Sequence, residues 1–116
     1  MEHGYIQRCN GQVHYFISRC ANPAATLVFT HGLTADCSMF EKQVDYFKDR
    51  YDIVLWDVPC HGLSRPYCNF TYLETAQALN DIFIAENIEK AVLIGMSMGG
   101  YPAQFFRNMH PEKVMG

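Results

Sequence analysis

Short apolar runs alternate with helix-period patterns along this chain. Residues 25–30, 51–56 and 91–94 are nearly continuous apolar runs bounded by turn residues. Such runs are typical of strands buried on both faces of a parallel sheet. Between them, residues 38–47 and 71–83 repeat apolar side chains three or four positions apart, which predicts helices. Strands that alternate with helices predict an α/β fold, in which parallel strands carry helices on both faces.

The first strands form a different unit. Asn10-Gly11 is a strong signal for a two-residue turn between antiparallel strands. It joins residues 5–9 to residues 12–17, whose apolar and polar side chains alternate loosely. We therefore predict an N-terminal β-hairpin ahead of the parallel strands.

Two capping boxes mark the predicted helix starts. Ser38 is followed by Glu41 and Thr71 by Glu74, the spacing at which the two side chains satisfy free N–H groups of a first helical turn. The second helix is expected to bury a stripe of five side chains, Leu73, Ala76, Leu79, Ile82 and Phe83. The run at residues 91–94 is expected to be a fully buried strand that turns into a third helix.

Composition and charge exclude several classes of function. The chain has 116 residues, 9 basic and 12 acidic side chains and a formal charge of −3, so it lacks the basic surface that nucleic-acid binding requires. Its apolar runs are too short to span a membrane. The first residues contain no apolar signal-peptide core, which favours a cytoplasmic protein. Five cysteines without a CxxC pair indicate reduced thiols, with no metal site and no cofactor.

The most specific motif is Gly95-Met96-Ser97-Met98-Gly99, which lies between a predicted strand and a predicted helix. This is the G-x-S-x-G pattern, in which a tight turn exposes a nucleophilic serine above the end of a sheet. Small residues two positions before and after the serine let the strand and the helix pass closely. The alternatives are a structural glycine-rich turn and a dinucleotide-binding loop, but the latter requires glycine at position 97.

Two other loops follow predicted strands, Thr30-His31-Gly32-Leu33 and Asp57 to Ser64. With the serine motif, they occur in an order and spacing that resembles the N-terminal portion of an α/β-hydrolase. The resemblance covers the whole chain and implies that family's strand order, with the hairpin at one edge of the sheet. It also implies that Ser97 is the nucleophile and that the backbone N–H groups of Leu33 and Met98 form the oxyanion hole.

The same resemblance assigns supporting roles within these loops. His31, Gly32, Asp57 and His61 correspond to residues that organise the loops near the site. Gly32 has to let the backbone approach the substrate oxygen closely. The sequence departs from the family at Cys60, where glycine is frequent, and we expect this to change the turn rather than the chemistry.

A complete catalytic triad is not recognisable in this chain. In α/β-hydrolases an acid and then a histidine follow the serine. After Ser97 the only histidine is His110 and the only acid is Glu112, in the reverse order, and the helix between puts His110 roughly 20 Å from the serine. We therefore interpret residues 1–116 as a single, incomplete α/β-hydrolase domain, its N-terminal part, without the acid, the histidine and the lid.

These observations predict a serine hydrolase that cleaves carboxylic esters, thioesters or related small acyl compounds through an acyl-enzyme on Ser97. We expect this chain alone to have little activity. One alternative is an inactive binding or assembly domain. Another is acyl-transfer, haloperoxidase or carbon–carbon hydrolase chemistry in the same superfamily. We also expect self-association through the strand from Lys90 to Ile94, because it would lie at a sheet edge without charged or proline residues inside it.

Overall fold

The computed structural model describes all residues, 1–116, as five strands and three α-helices. The strands are β1 (Glu2–Arg8), β2 (Gly11–Ser18), β3 (Thr26–Thr30), β4 (Asp52–Trp56) and β5 (Val92–Gly95). The α-helices are α1 (Glu41–Phe47), α2 (Tyr72–Ala85) and α3 (Gly100–Met109). Short 3-10 helices cover Cys37–Phe40, Ser97–Gly99 and Pro111–Lys113. None of the helices combines the length and the apolar character that a membrane crossing requires.

The five strands form one mixed sheet in the order β1-β2-β4-β3-β5. β1 pairs antiparallel with β2, and β2 pairs antiparallel with β4. β3 lies in the centre of the parallel part, between β4 and β5. The predicted α/β fold with an N-terminal hairpin at one edge is therefore confirmed. The parallel strands β3, β4 and β5 have their carboxyl ends at the same end of the sheet.

The two faces of this sheet are covered separately. Val28, Val54 and Trp56 point to one face, where they pack against buried side chains of α2 and α3. Their neighbours Phe29 and Leu55 point to the opposite face and pack against α1 and the short helix before it. Side chains alternate between faces along a strand, so a continuous apolar run supplies both cores at once. This confirms the prediction of helices on both faces.

The hairpin turn lies one residue earlier than the sequence predicted. Arg8 pairs with Gly11, so the two turn residues are Cys9 and Asn10. Gly11 is the first residue of β2 and has a φ of 151°. An added Cβ there would lie 2.7 Å from the Pro66 carbonyl oxygen. Glycine at this position therefore serves the contact with a neighbouring loop rather than the turn itself.

One of the two predicted helix caps is correct. Thr71 Oγ1 accepts a hydrogen bond from the Glu74 N–H and caps α2. Ser38 is not a cap, because Asp36 accepts from the Ser38 N–H and begins the short helix Cys37–Phe40 instead. The predicted stripe of α2 is buried at four of its five positions, whereas Leu73 is 48% exposed.

β5 lies at the edge of the sheet and is only partly buried, so the prediction of a fully buried strand is wrong. Some backbone groups on the outer side of this strand form hydrogen bonds with the last residues of the chain. The Ala91 N–H donates to Lys113 O, the Met115 N–H donates to Ala91 O, and the Leu93 N–H donates to Gly116 O. Residues 113–116 thus begin a parallel strand beside β5. Self-association through Lys90 to Ile94 stays a prediction.

Candidate functional site

Ser97 lies in the tight turn between β5 and α3, at the carboxyl end of the sheet. Its φ is 55°, a left-handed backbone conformation that is uncommon for residues other than glycine. The residue is exposed, whereas Met98 after it is buried in the core between the sheet and α2. The turn therefore presents the serine to solvent while the next side chain anchors it to the fold.

The glycines on either side of Ser97 leave no room for a side chain. A Cβ on Gly95 would lie 2.6 Å from the Gly100 nitrogen, and a Cβ on Gly99 would lie 2.2 Å from the Thr30 carbonyl oxygen. Two hydrogen bonds tighten the same turn, from the Met96 N–H to Thr30 O at 2.9 Å and from the Gly99 N–H to Met96 O at 2.9 Å. This close packing is the arrangement that the spacing of small residues predicted.

The loop after β3 runs directly beside the serine. A Cβ on Gly32 would lie 3.6 Å from Ser97 Cβ and 3.2 Å from Met96 O, so the two loops are in contact. The Leu33 N–H donates no hydrogen bond within the protein. Leu33 and Ser97 thus lie at the same end of the sheet, and an unused donor is available in the loop that adjoins the serine.

His31 is fully buried and links two of the loops. Its Nε2 accepts a hydrogen bond from the Val58 N–H at 3.1 Å, which requires that Nδ1 carry the proton. Nδ1 lies 2.8 Å from the Gly32 carbonyl oxygen and donates to it. Burial lowers the pKa of His31 below its ordinary value, which favours this neutral form. Both ring nitrogens are occupied by backbone groups, so His31 has no free lone pair for catalysis.

Asp57 is buried at the end of β4 and holds the loop that follows. Its Oδ1 accepts from the Cys37 N–H at 2.8 Å, and its Oδ2 accepts from the Leu63 N–H at 2.9 Å. The carboxylate therefore joins the loop after β3 to the loop after β4. It makes no contact with a histidine that would identify it as a triad acid.

Sequence reasoning missed the role of Ser64. Its side chain is fully buried; Oγ donates to Asp57 O at 2.5 Å and accepts from the His14 N–H at 2.9 Å. Ser64 thus fastens the loop after β4 to the hairpin strand β2. A serine seven positions after the aspartate, within a loop rich in turn residues, was the available signal.

His61 packs against the ring of His31 at 5.2 Å between centroids and against Phe70 at 5.7 Å. Its Nδ1 lies 3.0 Å from the Pro59 carbonyl oxygen. The ring therefore continues an aromatic contact from the buried His31 to the surface of the loop. His110 lies beyond the far end of α3, with Nδ1 3.7 Å from a Glu112 oxygen, and the structure does not bring it to Ser97.

The thiols near this edge are protonated groups. Burial and the Asp57 carboxylate raise the pKa of Cys37 to about 12, and burial raises the pKa of Cys60. All five cysteines are unpaired. No group of three or more histidine, cysteine or acidic side chains is arranged to hold a metal ion.

A sequence model for the family described as alpha/beta hydrolase fold matches residues 25–116. Over 80 residues the chain is 39% identical to 3-oxoadipate enol-lactonase 1 of Acinetobacter baylyi, covering 69% of this chain and 30% of the relative. Over 90 residues it is 33% identical to 2-succinyl-6-hydroxy-2,4-cyclohexadiene-1-carboxylate synthase of an Enterobacter species, covering 78% of this chain and 34% of the relative.

A solved structure titled "Est816 as an N-Acyl homoserine lactone degrading enzyme" superimposes with a TM-score of 0.89. It is 21% identical, and the match covers 97% of this chain and 43% of the other. At this identity the likeness concerns the fold. The present chain spans about a third of the length of the two curated relatives.

Proposed function

Since the chain belongs to the alpha/beta hydrolase fold family, we propose that it carries the nucleophile and the oxyanion hole of an enzyme that cleaves esters or lactones. The nucleophile is Ser97, and the oxyanion donors are the backbone N–H groups of Leu33 and Met98. The substrate is a small acyl compound, consistent with the enol-lactonase among the relatives.

The observation that carries this proposal is the left-handed backbone of the exposed Ser97, in a turn packed against the loop of Gly32. A strained residue persists only where its surroundings enforce it, and such residues cluster at functional sites. Here glycines on both sides and two short backbone hydrogen bonds enforce it. A merely structural turn would not need a serine in this conformation, since glycine adopts it without strain.

In the proposed reaction Ser97 Oγ attacks the acyl carbon while a general base removes its proton. The negative charge that develops on the acyl oxygen is stabilised by the two backbone donors. The alcohol or enol leaves, and water then hydrolyses the acyl-enzyme. His31 does not supply the base, because both of its ring nitrogens are hydrogen-bonded to backbone groups. His110 does not supply it either, because it lies beyond the far end of α3. We propose that the acid and the histidine belong to a further part of the protein, with this chain as the N-terminal part of the domain.

A second candidate is transfer or carbon–carbon chemistry at the same serine. It is favoured by the 33% identity to a relative that is named as a synthase rather than a hydrolase. The nucleophile and oxyanion donors would be the same residues, and the difference would lie in the bound substrate.

The proposal is tested by assaying a chromogenic short-chain ester and a simple lactone with the chain and with Ser97→Ala. We expect weak hydrolysis that is lost in Ser97→Ala, because the Ser97 oxygen is the group that attacks the acyl carbon, and it does so slowly without a base. Ser38→Ala is the matched control, since Ser38 is also exposed but lies after β3. Equal rates for the chain and Ser97→Ala would overturn the proposal and favour a binding domain.

A further inference from the structure

The hairpin carries a pair of histidines that lies apart from the candidate site. His3 on β1 is opposite Phe16, and His14 on β2 is opposite Tyr5, so the two histidines are diagonal neighbours on one face. His3 Nε2 lies 2.8 Å from His14 Nδ1. His3 is exposed and His14 is half-buried, so a small ion can reach both rings from solvent.

Two glutamine side chains determine which ring nitrogen of His14 carries the proton. His14 Nε2 lies 3.2 Å from Gln12 Oε1, and because that oxygen can only accept, Nε2 carries the proton. The Gln12 amide is itself held by its Nε2, which donates to Gln7 Oε1 at 3.1 Å. In neutral His14 the lone pair is therefore on Nδ1, the nitrogen that faces His3.

Histidines that bind metal ions have the same kind of hydrogen bond on the ring nitrogen that does not bind the metal. A ligating imidazole donates its other N–H to an oxygen, which orients the ring and selects the nitrogen that binds. In the tautomer that Gln12 selects, Nδ1 of His14 carries the lone pair, so His14 can bind a metal ion through Nδ1 without losing a proton.

We propose that His3 and His14 form a two-histidine site for a divalent transition metal ion, best suited to copper(II). Two nitrogens at about 2.0 Å from an ion and at a right angle to each other are about 2.8 Å apart, as in square-planar coordination. The observed 2.8 Å between His3 Nε2 and His14 Nδ1 is close to that spacing. Water completes the coordination, and the proton on His3 Nε2 moves to His3 Nδ1, so that the two facing nitrogens each offer a lone pair to the ion.

The test is a calorimetric titration with copper(II) chloride at neutral pH, using the chain with an acetylated amino terminus and with its accessible thiols alkylated, since free thiols bind and reduce copper(II). The acetyl group is required because a free terminal amine close to His3 would itself bind copper. We expect one equivalent to bind, with His3→Gln and His14→Gln each lowering the affinity at least tenfold. His110→Gln is the matched control and is expected to bind like the unsubstituted chain.

Gln12→Met separates ligation from a structural effect, because it removes the acceptor for His14 Nε2–H but leaves both histidines. We expect this variant to lose about tenfold in copper affinity, as partners behind a ligand do. Circular dichroism checks that each variant retains its strands. Unchanged copper affinity in a folded His14→Gln variant, or an equal loss in His110→Gln, would overturn the proposal.

Discussion

Three of the five residues other than glycine that have a left-handed backbone lie in the loops that follow the parallel strands. Thr34, Cys60 and Ser97 have φ values of 62°, 72° and 55°, and they follow β3, β4 and β5 respectively. Each such residue costs about 1–2 kcal/mol. The loops at the carboxyl end of the sheet, which include Ser97, therefore contain residues in unfavourable backbone conformations.

Cys60 allows this cost to be measured without touching Ser97. Cys60→Gly should raise the free energy of unfolding by about 0.5–1 kcal/mol, because glycine adopts a φ of 72° freely but also gains entropy when unfolded. Urea denaturation measures the change. Cys68→Gly is the matched control: Cys68 is exposed and has no left-handed φ, so this change should destabilise the fold. Equal destabilisation by both substitutions would contradict the account of Cys60.

His31 predicts how stability depends on pH. Its folded-state pKa is lowered from the ordinary value of 6.5, so between these two values the unfolded chain binds more protons than the folded one. The contribution of His31 to the free energy of unfolding is thus fully present above pH 6.5 and is lost as the pH falls below that value. We expect urea midpoints to decline from pH 7.5 to pH 5, with a shallower slope in His31→Gln. Identical slopes for the two proteins would show that His31 does not titrate in this way.

At the scale of elements, the loops depend on contacts between strand ends that are distant in sequence. Asp57 holds the Cys37 and Leu63 N–H groups, and His31 joins Gly32 to Val58. The turn of Ser97 closes against this pair of loops through Thr30. The position of the serine is consequently a property of three loops together rather than of its own turn.

Alanine substitutions at the adjacent Gly99 and Gly100 test two different effects, the tight packing of the turn and the helix propensity of the residue. Gly99→Ala should destabilise the fold by about 1–3 kcal/mol, since its Cβ would lie 2.2 Å from Thr30 O, a rigid backbone atom. Gly100→Ala should stabilise it by up to about 1 kcal/mol, since its Cβ meets nothing within 4 Å and alanine favours the helix. Thermal unfolding of both variants tests this, and equal effects would contradict the tight packing of the turn.

Features that depend on local chemistry could be predicted from the sequence. The start of α2 at Thr71 follows from a threonine and a glutamate three residues apart. The same reasoning failed at Ser38, because Asp36 accepts from the Ser38 N–H, the group that Glu41 would bind in a capping box, and the helical segment begins after Asp36 instead. The contact of Gly32 with Ser97 followed from the resemblance to a family and not from the residues alone.

At the scale of the whole molecule, the covering of both faces followed from the alternation of strands and helices, whereas the strand order followed from the resemblance to a family. Burial did not, because it depends on neighbours that a single run cannot reveal: β5 has the composition of a central strand but lies at an edge. The role of Ser64, which joins the loop after β4 to the hairpin, was hidden for the same reason. Its partner His14 is 50 positions away.

The central claim is that Ser97 is a nucleophile in an oxyanion hole, and covalent labelling tests it most directly. The folded chain is incubated with a fluorophosphonate, digested, and analysed by mass spectrometry for the modified residue. Because this chain lacks the base, the account predicts slow formation of an adduct on Ser97 and none on the exposed Ser38, with no labelling of Ser97→Ala or of the chain unfolded in urea. Labelling of Ser38 at the same rate as Ser97, or of folded and unfolded chains alike, would contradict it.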